Sequence, residues 1–354
     1  MALQIGIVGL PNVGKSTLFK ALTKIQVEAS NYPFCTIDPN IGVVPVPDER
    51  INKLSVLSKS AKTIPAAIEF VDIAGLVAGA HKGEGLGNKF LSNIRNVDAI
   101  VQVVREFSDG NVIHVHGKVD PKSDVEVINL ELIMADLELL KKHLDKVDKK
   151  VRGNDKEAIR EQVVLKKIIT VLEAGQLAST VTLDPELEEP FVKVLNLLTR
   201  KPMLYVVNVD ESATPKASQN FGHDAVEISA KIEAELAELP DEDAKMMMQE
   251  LGMKETGLEK LIVASYKLLN LISYFTTGED ETKAWTIHQG DLAPRAAGVI
   301  HTDFEQKFIR AEVIAWDKLL EAKGWAQARD KGWLRMEGKN YMVHDGDVMV
   351  FHHA

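Results

Sequence analysis

The sequence predicts a mainly parallel α/β fold that carries an inserted antiparallel helical hairpin and ends in a small α+β domain. Three observations predict it. Short β-branched apolar segments alternate with helical stretches over much of the first two-thirds of the chain. A heptad pattern interrupts this alternation after residue 130. All four tryptophans lie after residue 280, which marks a change of composition near the C-terminus.

The strands of the predicted sheet are short and rich in Val and Ile, as strands covered by helices on both faces are. The segments with this composition are 4–8, 67–72, 99–104, 203–208 and 225–229. Helical stretches separate most of them, so we expect a mainly parallel sheet.

The predicted hairpin begins with apolar residues spaced alternately by four and three positions, which is a heptad seam. These residues are Ile133, Leu137, Leu140, Leu144, Val147 and Val151. Gly153 and Asn154 break the pattern, and a second helical pattern runs through Ile159, Val163 and Leu165 to Leu172. Residues 141–167 hold ten Lys or Arg against five Asp or Glu, a balance of +5. A solvated surface and a tip that contacts RNA phosphates are both compatible with this charge. No Phe, Tyr or Trp lies there, so base stacking is not expected in the hairpin.

The C-terminal region follows a helix that we expect to end near Tyr274. Segments 284–287 and 348–351 have the composition of strands, and Asp345-Gly346-Asp347 that of a turn. Residues 304–320 are predicted to be helical. Together these elements predict the small α+β domain.

Composition excludes several classes of function. A chain of 354 residues with 27% charged side chains is long enough for two or three soluble domains. Its single cysteine, Cys35, cannot form an internal disulfide. The net charge of −10 excludes an overall basic coat, so we expect no DNA partner. No run of 18 apolar residues and no signal-peptide pattern is present, so we expect a cytoplasmic protein without a membrane partner.

A phosphate-binding loop lies between the first strand and the first helix. Gly9-Leu10-Pro11-Asn12-Val13-Gly14-Lys15-Ser16 matches G-x-x-x-x-G-K-[ST]. Backbone N–H groups of such a loop point at phosphate oxygens, the lysine binds the β- and γ-phosphates, and the serine hydroxyl binds Mg²⁺. The nucleotide-binding residues predicted here are Asn12, Val13, Gly14, Lys15, Ser16 and Thr17.

Two further segments complete the predicted phosphate site. Asp72 ends a strand and is followed by Ile73-Ala74-Gly75, so its carboxylate can reach Mg²⁺ through water while the Gly75 N–H meets a γ-phosphate. Thr36 lies in the polar loop between this motif and the P-loop, where its hydroxyl could complete the Mg²⁺ shell. The predicted metal ligands are therefore Ser16, Thr36 and, through water, Asp72. Cys35 beside Thr36 is interpreted as a small apolar residue; oxidation there would disturb closure of the loop.

The chain resembles the Obg-like ATPases, the YchF family of P-loop translation-factor-class NTPases. The segments that carry the resemblance are 9–16, 31–36, 72–77, 79–87 and 297–305. The resemblance implies a P-loop NTPase (G-domain) sheet, an inserted coiled-coil arm and a ubiquitin-like β-grasp module called TGS. It also implies the ribosome as a partner that the arm and the TGS module contact. On this basis we assign residues 1–125 and 196–277 to the G domain, 126–195 to the arm and 278–354 to the TGS-like domain.

Base recognition departs from the GTPase pattern. GTPases read guanine with N-K-x-D, whereas Asn208-Val209-Asp210-Glu211 stands here after a strand. A site without the fitted aspartate loses discrimination between purines, and the amide of Asn208 could read adenine. The resemblance implies a preference for ATP and places Phe107, Val209 and the segment Ser229-Ala230-Lys231 beside the base. A GTPase in which Glu211 still accepts from guanine is the alternative.

The group that activates water is not evident. Leu76 occupies the position where many GTPases carry a glutamine, so we expect unaided hydrolysis to be slow. A monovalent cation such as K⁺ near Asn12, or a histidine, either His114 or His81, could substitute. The residues expected to act in catalysis are Lys15, Thr36, Gly75 and His114.

The leading hypothesis is a cytoplasmic ATP-hydrolysing molecular switch with Mg²⁺ as cofactor and ATP and the ribosome or ribosomal RNA as partners. A nucleotide-gated binding module with negligible hydrolysis, favoured by Leu76, is a hypothesis from another class. A metabolic kinase is less well supported, because no acceptor pocket or lid motif is evident.

Overall fold

The computed structural model describes residues 3–25, 38, 40–73, 86–108, 119–211, 221 and 225–354. Up to residue 208 the elements are β1 (Gln4–Val8), α1 (Lys15–Lys24), β2 (Ile41–Pro45), α2 (Glu49–Ser58), β3 (Lys62–Ile64), β4 (Ala67–Asp72), α3 (Leu86–Asn96), β5 (Ala99–Arg105), α4 (Pro121–Val151), α5 (Lys156–Glu173), α6 (Glu189–Lys193) and β6 (Met203–Asn208). From residue 225 they are β7 (Ala225–Ile228), α7 (Ala230–Leu236), α8 (Asp241–Glu250), α9 (Gly257–Leu268), β8 (Leu271–Thr277), β9 (Glu281–His288), α10 (Ala293–Ile300), α11 (Thr302–Gln306), β10 (Phe308–Ala315), α12 (Trp316–Ala322), α13 (Trp325–Asp330), β11 (Arg335–Glu337) and β12 (Asp347–His353).

The first sheet has the strand order β2-β4-β1-β5-β6-β7. All neighbouring pairs are parallel except β2 and β4, which are antiparallel. The five strands predicted from the sequence are confirmed, because continuous Val- and Ile-rich segments pair well only where both sheet faces are covered. The parallel strands bring the ends of β1, β4, β5 and β6 to one edge of the sheet, where open α/β sheets bind their ligands.

The helical hairpin is confirmed as α4 and α5, which we call the arm. The Asp120 side chain caps α4 by accepting from the Ser123 N–H at 3.3 Å, and Asn154, with φ +59°, lies in the turn. The predicted seam of α4 packs against Ala158, Leu165 and Leu172 of α5 in one apolar cluster.

Two residues of the predicted α5 pattern do not face the seam. Ile159 is 41% exposed and Val163 59% exposed. The buried stripe instead follows Ala158, Leu165 and Leu172, which are seven residues apart, so the prediction was wrong for Ile159 and Val163.

The second sheet, with the order β11-β10-β12-β8-β9-β3, forms the C-terminal domain. Helix α10 packs on one face through Ala293, Ala296 and Ala297, which confirms the predicted α+β fold. The strands predicted at 284–287 and 348–351 and the turn at Asp345-Gly346-Asp347 are confirmed. β8 pairs with β9 and β12, so the C-terminal strands of this sheet begin at Leu271, seven residues before the proposed boundary at 278. The three-domain division itself stays a prediction.

Two helices predicted in this region are wrong. Helix α9 ends at Leu268, and Asn270, with φ +55°, turns the chain into β8, so Tyr274 is a strand residue. The segment 304–320, predicted as one helix, is divided among the end of helix α11, strand β10 and helix α12. Short apolar segments such as 308–315 fit a strand or a buried helix turn equally well, and pairing with β11 and β12 decides for the strand.

The two sheets are joined by the segment between β2 and β4. Helix α2 packs on β8, β9 and α12, and β3 pairs in parallel with β9 through Lys62, Thr63 and Ile64. The Arg50 guanidinium donates to Asp345 at 2.6 Å and to Asp48 at 2.8 Å. The C-terminal domain is therefore attached to the segment that connects β2 with β4.

Within the described part of the chain, every helix is too short or too polar to span a membrane.

Candidate nucleotide-binding site

The P-loop backbone adopts a conformation that two glycines permit. Gly14 has φ +98°, and a Cβ at this position would lie 2.1 Å from the Asn208 Nδ2. A Cβ on Gly9 would lie 2.6 Å from the carbonyl oxygen of Val103. Asn12 is also left-handed, with φ +62°. The loop therefore lies tightly against β5 and β6, with the N-terminus of α1 directly after it.

Lys15 is a buried cation whose ammonium group is held inside the loop. The side chain is 8% exposed, and its Nζ donates to the carbonyl oxygen of Leu10 at 2.7 Å. Burial lowers the pKa of Lys15 to about 8, and the neighbouring carboxylate of Asp72 opposes this shift. An anion beside Lys15 would favour its charged form, which is the relation that a phosphate group provides.

Asp72 and Ser16 are suited to hold a hard cation. Asp72 ends β4 half-buried; burial raises the pKa of its carboxyl group, and Lys15 opposes the rise. Ser16 and Thr17 are exposed in the first turn of α1. Hydroxyl and carboxylate oxygens together with water and phosphate oxygens are what Mg²⁺ takes as ligands. Within the described residues, no cluster of three or more His, Cys, Asp or Glu could hold a metal by itself.

Asn208 connects the P-loop to the start of α7. Its Nδ2 donates to the carbonyl oxygen of Val13 at 3.0 Å, and its Oδ1 accepts from the Ala230 N–H at 3.0 Å. The residue is 5% exposed. These two bonds leave the amide a second N–H and a second lone pair on Oδ1, so they do not test the prediction that Asn208 reads the adenine. They indicate a clamp between the phosphate and base segments.

The acids that follow Asn208 also have partners inside the protein. Asp210 accepts from the Ser108 N–H and hydroxyl, both at 3.2 Å. Glu211 forms an ion pair with Lys231 at 2.5 Å. The Val209 N–H donates to the carbonyl oxygen of Ile228. The structure therefore brings segments 208–211 and 229–231 together, as predicted for two sides of a base site.

Phe107 is half-buried just beyond β5 and precedes Ser108, which bonds to Asp210. The Arg105 guanidinium lies 4.2 Å from its ring centre and donates through Nε to its carbonyl oxygen. This cation–π contact fixes the ring. This position of the ring is compatible with the prediction that Phe107 contacts a base, but it does not test that prediction.

Comparison with known proteins decides the family. Residues 4–209 match the family model described as 50S ribosome-binding GTPase, and residues 271–354 match the C-terminal model of YchF GTPases, described as a protein of unknown function. The ribosome-binding ATPase YchF of Bacillus subtilis is 53% identical over 363 residues, 99% of each chain. The protein of the same name from Escherichia coli O157:H7 is 51% identical over 360 residues, again 99% of each. The chain belongs to the YchF family.

A solved relative extends this likeness to the whole fold. The structure of the Schizosaccharomyces pombe YchF GTPase superimposes with a TM-score of 0.88 at 39% identity, covering 99% of this chain and 97% of that one. The resemblance stated from the motifs is confirmed, and so is the P-loop G-domain fold with its C-terminal domain.

Several predicted site residues of this YchF chain lie outside the described residues. They are Cys35, Thr36, Gly75, Leu76, His81 and His114. Their predicted roles stay predictions.

Sequence reasoning missed two polar residues that shape the site. Arg105 is buried at the end of β5, which is apolar apart from Gln102, and a charge at the end of such a run was the available signal. Glu233 on α7 is buried and accepts from the Gly257 and Leu258 N–H groups, which joins α7 to the start of α9. Burial raises the pKa of Glu233, against the bonds that lower it. No local pattern marks Glu233, because its partners lie 24 and 25 residues away.

Proposed function

We propose that this chain is a nucleotide-dependent switch that binds ATP in preference to GTP, hydrolyses it slowly with Mg²⁺ and acts with the ribosome in the cytoplasm. The observation that carries the proposal is the buried Lys15 inside a P-loop that Asn208 ties to the base segments. Relatives named ribosome-binding ATPase, alike over 99% of the chain, support the same activity and partner here.

The preference for ATP is supported by the contacts of the base segments. Guanine is read by a carboxylate that accepts two N–H groups. Glu211 stands near that position, but it pairs with Lys231, and Asp210 is bonded to Ser108. A guanine would have to share a carboxylate with one of these partners, whereas adenine needs no carboxylate. Val209 and Ala230 are proposed to lie beside the base with their carbonyl groups, since their N–H groups bond to Ile228 and Asn208.

Phosphate binding and catalysis are assigned to the P-loop and its neighbours. Lys15 would neutralise charge on the β- and γ-phosphates, while Ser16 and, through water, Asp72 would hold Mg²⁺. When bound, Mg²⁺ would neutralise the negative charge that develops on the phosphate oxygens. Thr36 and Gly75 remain proposed to close on the γ-phosphate. With Leu76 unable to orient water, His114 or a K⁺ ion near Asn12 is proposed to assist.

The switch reaches its partner through the β2–β4 hairpin and the arm. Thr36 precedes β2 and Gly75 follows β4, while the connection between these strands carries α2 and β3, which pack on the C-terminal domain. A movement of the two loops on hydrolysis would be passed along this hairpin. The basic arm offers the phosphate contacts that ribosomal RNA requires.

A multiple-turnover phosphate-release assay tests the proposal. ATP and GTP are compared with Mg²⁺, each with and without K⁺ and ribosomes, using Lys15→Ala as the inactive control. We expect slow release from ATP, faster release with ribosomes and little release from GTP. Equal rates for GTP would favour a GTPase. No turnover under any condition would favour the nucleotide-gated binding module to which Leu76 points.

A further inference from the structure

The C-terminal domain has an open cavity of about 410 Å³ where β12 ends beside α11. Its lining includes Ile300, His301, Asp303, Phe304, Lys307 and His353. None of these residues belongs to the nucleotide site, which lies at the edge of the other sheet.

Aromatic rings form one wall of this cavity. The rings of Phe304 and His353 are stacked, with centres 4.0 Å apart and planes 20° from parallel. The His301 ring lies 5.7 Å from that of Phe304. Phe304 also packs against the apolar core of the domain, so the stack is supported from beneath. Stacked rings held at a surface are a platform on which a further planar ring can lie.

Polar groups surround the platform. His301 accepts the Asp303 N–H through Nδ1 at 3.2 Å, which leaves its Nε2 as the proton-bearing nitrogen of the neutral ring. The Lys307 ammonium group lies 3.6 Å from the Asp303 carboxylate and is half-exposed. The Ala354 N–H donates to the Lys307 carbonyl oxygen at 3.1 Å, which fixes the end of β12 against this wall.

A planar platform with a nearby cation and a ring N–H suits a nucleobase attached to phosphate. We propose that this cavity binds an unpaired nucleotide of RNA, with the base on the His353–Phe304 stack and a phosphate near Lys307. The arm has basic residues but no Phe, Tyr or Trp between 141 and 167, so the C-terminal domain would supply the stacking that the arm lacks. That the RNA comes from the ribosome depends on the proposed function. Binding of a single-stranded oligonucleotide to this cavity does not depend on it.

The test measures binding of fluorescent oligoadenylate and oligouridylate, each about 12 nucleotides long, to the full-length chain by anisotropy. His353→Ala removes the outer ring of the stack. His352→Ala is the matched control, because neighbouring strand residues face opposite sides of the sheet and His352 pairs with Glu312 there. We expect His353→Ala to weaken binding at least about 5-fold and His352→Ala to change it less than about 2-fold.

Two further variants separate stacking from charge. His353→Phe keeps a ring without nitrogen atoms, and we expect it to retain binding. Lys307→Gln should weaken both oligonucleotides alike and reduce the salt dependence of binding by about one phosphate contact, whereas Lys339→Gln should not. Thermal unfolding of each variant shows whether it is folded.

Several results would overturn the proposal. One is equal oligonucleotide binding by the His353→Ala and His352→Ala variants. Another is polyphosphate that competes as well as RNA at equal charge. A third is AMP that binds as tightly as the oligonucleotides, which would indicate that the ligand is a free nucleotide. Co-sedimentation of the wild-type chain with ribosomes is measured separately. If the wild-type chain does not co-sediment with ribosomes, the result counts against the proposed function. If the His353→Ala and His352→Ala variants bind the oligonucleotides equally, the result counts only against this cavity.

Discussion

Replacing Asn208 by alanine distinguishes a clamp from a base reader. The substitution removes a bond to the Val13 carbonyl oxygen and one from the Ala230 N–H, both 3.0 Å long and buried. Each buried group left without a partner costs about 1–3 kcal/mol, so the free energy of unfolding should fall by about 2–6 kcal/mol. Because the P-loop and the base segment both lose their tie, ATP and GTP affinity should fall together, by about thirtyfold or more.

The assay combines thermal unfolding with titration of fluorescent ATP and GTP analogues in the presence of Mg²⁺. Asn208→Asp is the graded control, because its carboxylate still accepts from the Ala230 N–H but cannot donate to Val13. It should lie between the wild type and the alanine variant in both measurements. A loss of ATP affinity with GTP affinity and stability unchanged would refute the clamp and support Asn208 as the adenine reader.

Three further predictions concern the loop, its lysine and the domain contact. Gly14→Ala should abolish nucleotide binding, measured by calorimetry, because its Cβ would lie 2.1 Å from the Asn208 side chain. ATP affinity should fall by up to tenfold per pH unit above about pH 8. With a pKa of about 8, Lys15 in the free protein loses the positive charge that binds phosphate. Calorimetric titration of ATP at pH 7 and pH 9 checks this. Arg50→Ala should lower the free energy of unfolding in urea by about 1–2 kcal/mol through its bonds to Asp345, with ATP affinity unchanged.

Each of these has a contradicting result. Normal ATP binding by the Gly14→Ala variant would mean that the loop can relax away from Asn208. A pH-independent affinity between 7 and 9 would mean that Lys15 stays charged without nucleotide. Full stability of the Arg50→Ala variant would show that the packing of α2 and the pairing of β3 with β9 hold the C-terminal domain without this ion pair.

Local pattern was sufficient for much of the fold. Five of the six strands of the first sheet are short apolar segments between helical stretches. The heptad seam with Gly153 and Asn154 predicts the hairpin, because strand and helix periods are local properties. The P-loop is recognisable for the same reason, since its glycines, lysine and serine are neighbours in sequence.

Non-local partners explain most of what the sequence did not show. β3 joins the C-terminal sheet by pairing Lys62 with Glu281, a contact that no local pattern records. Asn208 has the residue type of a base reader, but its role depends on Val13, which is 195 residues away. Glu211 likewise was judged by its length alone, whereas its pairing with Lys231 became visible only in the fold.

Competition between ATP and GTP for the Mg²⁺-containing wild-type protein tests the central claim most directly. Each nucleotide is titrated against one pre-bound fluorescent analogue, so that both affinities are read on the same scale. We expect ATP to displace the analogue at concentrations at least about tenfold lower than GTP, the difference that about 1.4 kcal/mol of base discrimination gives. Equal displacement, or tighter binding of GTP, would contradict the account of an ATP-selective switch.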